Sequence, residues 1–451
     1  MSIGLYTNRR FWYELANEPK VNLSGHLRKR YSKLVKGHMQ SATRSAPGVR
    51  TGADSAAAAT QSQAMWRFLK NRSVTPAKLV EPLQQAAREG CAECASQFVL
   101  VMHDWCKLDF KRHASKQDRL QVTHEHDVGY DLTVSLAVDA DCGAPLAPLA
   151  VHLRTANSLH STATKPPQKS DHHLNQLAPT MSEIARLELG RIPVHIIDRE
   201  ADSLGHFRTW SEQGRLFLVR GDDRRVKWNG EAVLLREINA QLNLQGLFQK
   251  AGKARYHGQA VDREVAEVEV LLDGNHKTRV AGKQREIAGQ PLTLRAVFVR
   301  LVSPTGDMLA EWMLLTNVSA AQANTAAIGE WYYFRWRIES YFKLLKSAGH
   351  ELEYWQQTTG RAVLNRLLIA SMACVFVWRL QRDMSEQAAT LRKYLMKLSG
   401  RQTKRGVDST ASALLAGWEN LLAMLTLLEG DVTLSELRLL AQNYSPARFL
   451  V

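Results

Sequence analysis

Between positions 332 and 346 the chain reads Tyr332-x2-Arg335-x3-Glu339-x6-Lys346. On a continuous helix turning about 100° per residue, these four positions fall within one stripe. The stripe presents a phenol, a guanidinium, a carboxylate and an ammonium to one side. Alone, it reads equally well as a solvated face with an Arg335–Glu339 ion pair four residues apart. Two aspartates tip the balance. Asp104 follows the apolar run Phe98–Met102, and Asp198 follows Val194–Ile197, so each ends an expected sheet strand. Three carboxylates gathered at one end of a sheet repel one another unless cations neutralise them. Hard oxygen donors suit Mg²⁺, with Mn²⁺ as a substitute. Two such ions about 4 Å apart activate an attacking oxygen and stabilise a leaving one in phosphoryl transfer. Tyr332, Arg335 and Lys346 would then contact the flanking phosphates.

Competing residues carry less. Asp109 lies near Asp104, but the end of the strand favours Asp104. Asp139 and Asp141 follow a strand and read as turn residues. His172-His173 lack a partner at zinc spacing and read as a solvated helix start. Arg199 and Asp202 flank Asp198 as groups that would orient it. Cys91, Cys94, Cys106, Cys142 and Cys374 include a single C-A-E-C, without the second pair a zinc site needs, and read as reduced structural thiols. No glycine-rich loop ending in Lys-Ser/Thr is present, which argues against an ATP-driven enzyme.

The elements that must position these groups follow from periodicity. After Phe98–Met102, Leu132–Val138 alternates as a second strand, and Leu149–Arg154 is a third. Asp171–Leu189 has helical spacing, interrupted at Pro179 and ended by Gly190. Val194–Ile197 and Leu216–Val219 are further strands, separated by a helix opening at Ser203 and closed by Gly214. This order gives a mixed α/β sheet. From Gly221 to Pro304 the period is two, which predicts an all-β insertion, with Trp312–Thr316 as the return strand of a hairpin. Ser319 is expected to cap one long helix reaching Ser347. Helices at Leu364–Leu380, Ala388–Leu398 and Ala411–Leu428 follow, with a basic loop at Arg401–Arg405. At the other end, His26–Met39 is a basic helix, Ser41–Thr60 a linker, and Gln61–Lys70 and Thr75–Arg88 two more helices. The expected division is a helical basic N-terminal domain over 1–95, a core over 96–350 containing a β-rich insertion at about 221–316, and a helical region over 351–451.

Composition bounds the partners. Of 451 residues, 59 are Lys or Arg and 44 are Asp or Glu, a formal charge of +15. Such an excess points to a polyanion, with nucleic acid the default. Arg28, Lys29 and Arg30 sit on the first basic helix without interleaved acids, a pattern suited to a phosphate backbone. Five cysteines exclude a disulfide scaffold. The N-terminus carries no apolar core with a small-residue cleavage site. The longest apolar run, Leu367–Trp378, is too short for a bilayer and reads as a buried helix. A cytoplasmic protein with no membrane partner is expected.

The motifs resemble one family. Tyr332-x2-Arg335-x3-Glu339-x6-Lys346 is similar to the Y-R-E-K signature of insertion-sequence-four transposases, nearest the transposon-five group. Val194-His-Ile-Ile-Asp198-Arg-Glu-Ala-Asp202 resembles that family's D-R-E-A-D block. His103-Asp104-Trp-Cys-Lys-Leu-Asp-Phe110 resembles its first-aspartate block, and Gln63-Ala-Met-Trp-Arg-Phe-Leu-Lys-Asn71 its A-x-Y-R-F-L-x-N stretch. The resemblance covers roughly residues 20 to 400. It implies a ribonuclease-H-like core whose DDE triad, Asp104, Asp198 and Glu339, holds the metal. It also implies double-stranded DNA partners, namely terminal inverted repeats and target DNA, and a homodimer assembled on them through the C-terminal helices. Excision would run by nicking, hairpin formation and strand transfer. Glu311-Trp312-Met-Leu-Leu-Thr316 resembles the family's K-W-L-L-L-T strand, which gives Trp312 the role of stacking on a flipped base. Glu311 departs from that pattern, and Gly25–Arg30 matches the family's L-G-D-x-R-R block only loosely. Two other classes fit fewer features: a DNA-end-binding regulator that does not cut, and a ribonuclease-H-like nuclease that does not join.

Overall fold

The computed structural model describes residues 21–40, 55–121, 124–165, 173–280, 283–402, 409–428 and 433–436. Expectations for the first twenty residues, for 41–54, for His172 and for most of the Arg401–Arg405 loop lie outside them. The chain divides into two compact units.

The larger unit takes Val80–Lys111 and Asp118–Tyr341. Its strands are β1 (Phe98–Asp109), β2 (Leu120–Gln121), β3 (Val128–Asp139), β4 (Pro145–Arg154), β5 (Leu159–Ser161), β6 (Ile192–Ile197), β7 (Leu216–Arg220), β8 (Arg225–Trp228), β9 (Glu231–Leu234), β10 (Gln249–Tyr256), β11 (Gln259–Leu272), β12 (His276–Val280), β13 (Lys283–Ile287), β14 (Leu292–Val302) and β15 (Met308–Thr316). Among the described residues thirteen of them join one sheet, ordered β5-β4-β3-β1-β6-β7-β15-β14-β11-β8-β9, with β10 on β11 and β2 on β3. β4, β3 and β1 run antiparallel, whereas β1, β6 and β7 run parallel. Three meandering strands followed by two parallel ones fit the ribonuclease-H-like core that the resemblance implies.

β1 is longer than its apolar run suggests. Its first six residues are buried; beyond them Asp104–Cys106 are half-buried, and Leu108 is buried between exposed Lys107 and Asp109. It continues to Asp109 because β3 pairs with it along the whole length, Val99 opposite Asp139 and Asp109 opposite Gly129. Asp104 therefore sits within a strand, which corrects the expectation that it ends one. Gly129 is required at this register. A Cβ there would stand 1.8 Å from the Leu108 carbonyl oxygen. Gly129→Ala is expected to lower stability by about 1–3 kcal/mol through overpacking, visible as a lower denaturant midpoint.

One face of the sheet is sealed by helices Leu177–Ala185 and Leu204–Glu212. Phe207 stacks on Phe217 with centroids 5.1 Å apart, and Trp210 packs edge-on to Phe217. The segment between β7 and β15 is not all-β, because helix Leu235–Leu244 lies in it and buries Leu235, Ile238 and Leu242. Its apolar positions recur at three and four residues, a period masked by the alternating sequence around it.

The expected long helix after Ser319 is two helices. Ser319 binds Gln322, and the first helix, Thr325–Tyr333, starts at Asn324, whose side chain accepts from Ala327 N at 2.9 Å. Trp331 anchors it, packing on Phe98 and donating its indole N–H to the Ala140 carbonyl at 3.2 Å. The break falls at Phe334-Arg335, and Trp336–Lys346 is the second helix. Phe334 lies over Gly143, which has φ +67 and where a Cβ would come 2.4 Å from the ring.

The smaller unit takes the described residues up to Leu79, Arg112–Gln117, and those from Phe342 onward. Helix Gly25–Gln40 buries Tyr31, Val35, His38 and Met39, and leaves Arg28 and Lys29 exposed. Helix Ser55–Lys70 begins five residues before Thr60, where the linker is expected to end, because Ser55–Thr60 is alanine-rich and alanine extends a helix at little cost. Helix Gly360–Arg382 is buried for most of its length, as its apolar sequence requires. Glu386–Leu398 and Ala411–Leu428 pack on each other. Lys116 is wholly buried and donates to the Trp355 carbonyl at 2.6 Å, while the guanidinium of Arg366 lies 4.2 Å from the Trp355 ring centroid.

Candidate active site

The site grows from the register of the parallel pair. The last pair joining β1 to β6 is His103–Ile197. Asp104 continues β1, and Asp198 is the first residue after β6. Two neighbouring parallel strands thus present aspartates at the same level, where the ladder between them ends, and functional groups commonly gather beyond such a point. Each carboxylate is held by the amide that follows it. Asp104 Oδ1 accepts from Trp105 N at 2.8 Å, and Asp198 Oδ1 from Arg199 N at 2.8 Å.

The helix pair brings the rest. Tyr332 is on the last turn of Thr325–Tyr333, and its hydroxyl donates to Asp198 Oδ1 at 3.1 Å. The break makes Glu339 a first-turn residue of the second helix, where a carboxylate meets the positive end of the helix dipole. Arg335 lies in the break. Its guanidinium stands 3.3 Å from Asp104 Oδ2, 3.7 Å from Asp198 Oδ2 and 2.7 Å from Glu339 Oε1. Its side chain is only 9% exposed. Three carboxylates from three elements therefore converge on one cation.

The two aspartates differ electrostatically. Burial pushes Asp104 up to about 6; Arg335 and the Trp105 amide pull it down, and Glu339 and Asp198 push it further up. Asp198 is also partly buried, but Arg335, the Arg199 amide, the Tyr332 hydroxyl and Arg220 outweigh burial and hold it below the usual carboxylate range. Burial pushes Tyr332 well above the ordinary phenol value, and the Asp198 charge adds to it. Tyr332 is therefore a neutral hydrogen-bond donor. Burial tends to lower Arg335, but Tyr332, Asp198, Asp104 and Glu339 reverse the sign; it is cationic throughout.

Other expected site residues fall in different places. Trp312 is 8% exposed, packed edge-to-face on Tyr332 with centroids 5.3 Å apart. Its neighbour Glu311 pairs with Arg300 at 3.5 Å. The Arg199 guanidinium faces Asp222 at 3.6 Å, so only its amide reaches Asp198. Asp202 accepts from Asp222 N at 2.7 Å and pairs with Arg224, anchoring the turn after β6 without touching the Asp198 carboxylate. Lys346, Arg28, Lys29 and Arg30 belong to the smaller unit. Lys346 is paired there with Glu353 at 2.8 Å. Asp109 binds Lys111. Asp139 caps its own turn, accepting from Asp141 N at 2.7 Å. His173 is packed in rather than solvated. Arg220, at the end of β7 and 3.7 Å from Asp198 Oδ1, is a site residue that no motif marked; only its place at the end of the neighbouring parallel strand could have found it.

The donor set fits a divalent metal. Carboxylate oxygens are the ligands Mg²⁺ and Mn²⁺ prefer, and all three reach toward a common positive group. As placed, with the guanidinium among them, no three His, Cys, Asp or Glu side chains among the described residues close on a single ion. A model of the transposase DDE domain matches residues 147–376, just over half of the chain, and takes in Asp198, Tyr332, Arg335 and Glu339. Asp104 lies ahead of the match, joined to it by the β1–β6 ladder. No curated protein matches the chain.

Proposed function

The chain belongs to the transposase DDE-domain family, and on that premise we propose a cut-and-paste DNA transposase of an insertion sequence, of the insertion-sequence-four type and nearest the transposon-five group. One observation carries the site assignment: Asp104, Asp198 and Glu339, from β1, β6 and the helix after the break, converge on one cation. These carboxylates would hold Mg²⁺, or Mn²⁺ in its place. When bound, the metal supplies activation of an attacking oxygen and stabilisation of a leaving one.

The protein's own groups account for the rest. Tyr332 donates to Asp198 and fixes the rotamer of the carboxylate. Arg335 offers a planar donor fork that suits a phosphate as well as a carboxylate. On arrival of a DNA end it can exchange one carboxylate for a backbone phosphate. Trp312 backs Tyr332; stacking on a flipped base would require it to leave that contact. The excess positive charge favours approach to DNA. The proposal extends to nicking, hairpin formation and strand transfer at inverted repeats, with a basic N-terminal domain over 1–95, a β-rich insertion in the core, and a dimer built on the C-terminal helices.

The decisive experiment is cleavage of a plasmid carrying the element's own flanking inverted repeats, in Mg²⁺ and in chelator, by wild type and Glu339→Ala. Metal-dependent cutting at the repeats, followed by joining of the freed 3′-hydroxyl and lost in the variant, is the expected result. Specific binding without cutting by either protein would replace this function with that of a regulator. Cutting without joining would leave a nuclease.

A further inference from the structure

Beside the carboxylates lies a second group of side chains with no part in the chemistry above. The indole Nε1 of Trp105 donates to Glu200 Oε2 at 2.9 Å. Glu200 Oε1 stands 3.1 Å from His173 Nε2. The His173 ring lies over the Trp105 ring, with centroids 3.9 Å apart and planes inclined by 31°. The three contacts close on themselves. His173 is also held from its other side, with Nδ1 3.9 Å from Asp131 Oδ2, an oxygen that Arg154 binds at 3.0 Å.

We infer that Trp105, Glu200 and His173 form a clamp that fixes the separation of Asp104 and Asp198, and are positioning residues for the reaction. The inference rests on the active-site assignment above. Trp105 follows Asp104, and its backbone N–H holds that carboxylate. Glu200 lies in the short turn Arg199–Ala201, which Asp198 caps. The β1–β6 ladder ends at His103–Ile197, so the chain after Ile197 leaves β1 without further ladder bonds to it. The Trp105–Glu200 hydrogen bond ties the two together again just beyond both aspartates. One partner is a carboxylate, which makes this stronger than a neutral hydrogen bond. On its other side the turn is tied to Asp222 and Arg224 through Asp202. The clamp thus opposes the mutual repulsion of the two aspartates with a fixed side-chain strut, and groups that build an active site must be held within about 0.5 Å.

The test uses the full-length protein and a pre-formed transposon end. Three quantities are compared for wild type, Glu200→Ala, Glu200→Gln, Trp105→Phe and Asp198→Asn: single-turnover cleavage rate, affinity for the end, and Mn²⁺ affinity from electron paramagnetic resonance titration. Glu200→Ala is expected to lose about 10- to 100-fold in rate and in Mn²⁺ affinity, the usual scale for groups that support ligands, with end affinity unchanged. Trp105→Phe keeps the ring and loses the N–H, and should lose in the same direction. Glu200→Gln keeps an acceptor for the indole and should recover most of the loss. If Glu200→Ala or Trp105→Phe matches wild type in rate and Mn²⁺ affinity while Asp198→Asn is inactive, the clamp is refuted and the active site stands. If Asp198→Asn cleaves normally, the site assignment itself fails. Should Glu200→Ala not fold, Trp105→Phe and Glu200→Gln decide the question alone: equal loss in both, with no recovery by glutamine, also overturns the clamp.

Discussion

Arg335→Ala is expected to destabilise the metal-free protein by about 2–4 kcal/mol and to make it depend on divalent metal for stability. The cause is electrostatic. Removing the cation from a buried ion cluster leaves uncompensated charge, which costs about 3–5 kcal/mol when burial is complete. Here Asp104 is 18% exposed at its side chain, Asp198 35% and Glu339 37%, so water recovers part of that cost. A divalent ion among the same oxygens replaces the missing charge and stabilises the folded state by mass action. Thermal melts in chelator and in millimolar Mg²⁺ check this: the variant should gain more from Mg²⁺ than wild type does. Arg335→Lys should fall between the two, because an ammonium keeps the charge but cannot bridge three carboxylates as a planar fork does. Equal responses to Mg²⁺ in wild type and Arg335→Ala would mean that the guanidinium and the metal do not share these ligands.

The neutral donor Tyr332, the cation Arg335 and the carboxylate Glu339 were legible as a stripe because i,i+3 and i,i+4 spacing places residues on one helix face. They still meet although the helix is broken. Tyr332 is on the last turn before the break and Glu339 on the first after it. The break itself was not legible. Nothing between Tyr333 and Trp336 is a helix breaker by propensity; Phe334 packs on a glycine about 190 residues away in sequence, a neighbour no local window contains. Strands were legible where apolar runs or strict alternation marked them, as in β6 and β7. The second half of β1 was not, because Asp104–Asp109 has neither a continuous apolar run nor strict alternation and owes its strand form to pairing with β3. The same holds for the clamp. Trp105, Glu200 and His173 lie on three separate elements, and their types alone suggest no chemistry. Asp104 and Asp198 stood out because each follows an apolar run, and their adjacency came only with the parallel register.

That register has an energetic consequence at Asp104. Its folded pKa is about 6, against about 3.9 for a free aspartate. The folded state therefore holds the proton more tightly than the unfolded chain. A group raised in this way contributes stability that is fully present below about pH 4 and is lost as pH rises through about 6. At pH 8 the ionised carboxylate is a cost to folding, one that the proposed role as a metal ligand would account for. Asp104→Asn removes that cost. In chelator at pH 8 the variant is expected to be more stable than wild type by about 1–3 kcal/mol, the scale of a two-unit shift, a net value that already contains the attraction of Arg335. The advantage should shrink as pH is lowered and vanish below about pH 4, where Asp104 becomes protonated in both states. End cleavage should be lost at every pH. Denaturant melts at pH 4, 6 and 8 decide it. A variant less stable than wild type at pH 8, or a difference that does not change with pH, would mean that Asp104 is not desolvated in the folded protein, and that Arg335 compensates its charge fully without a metal.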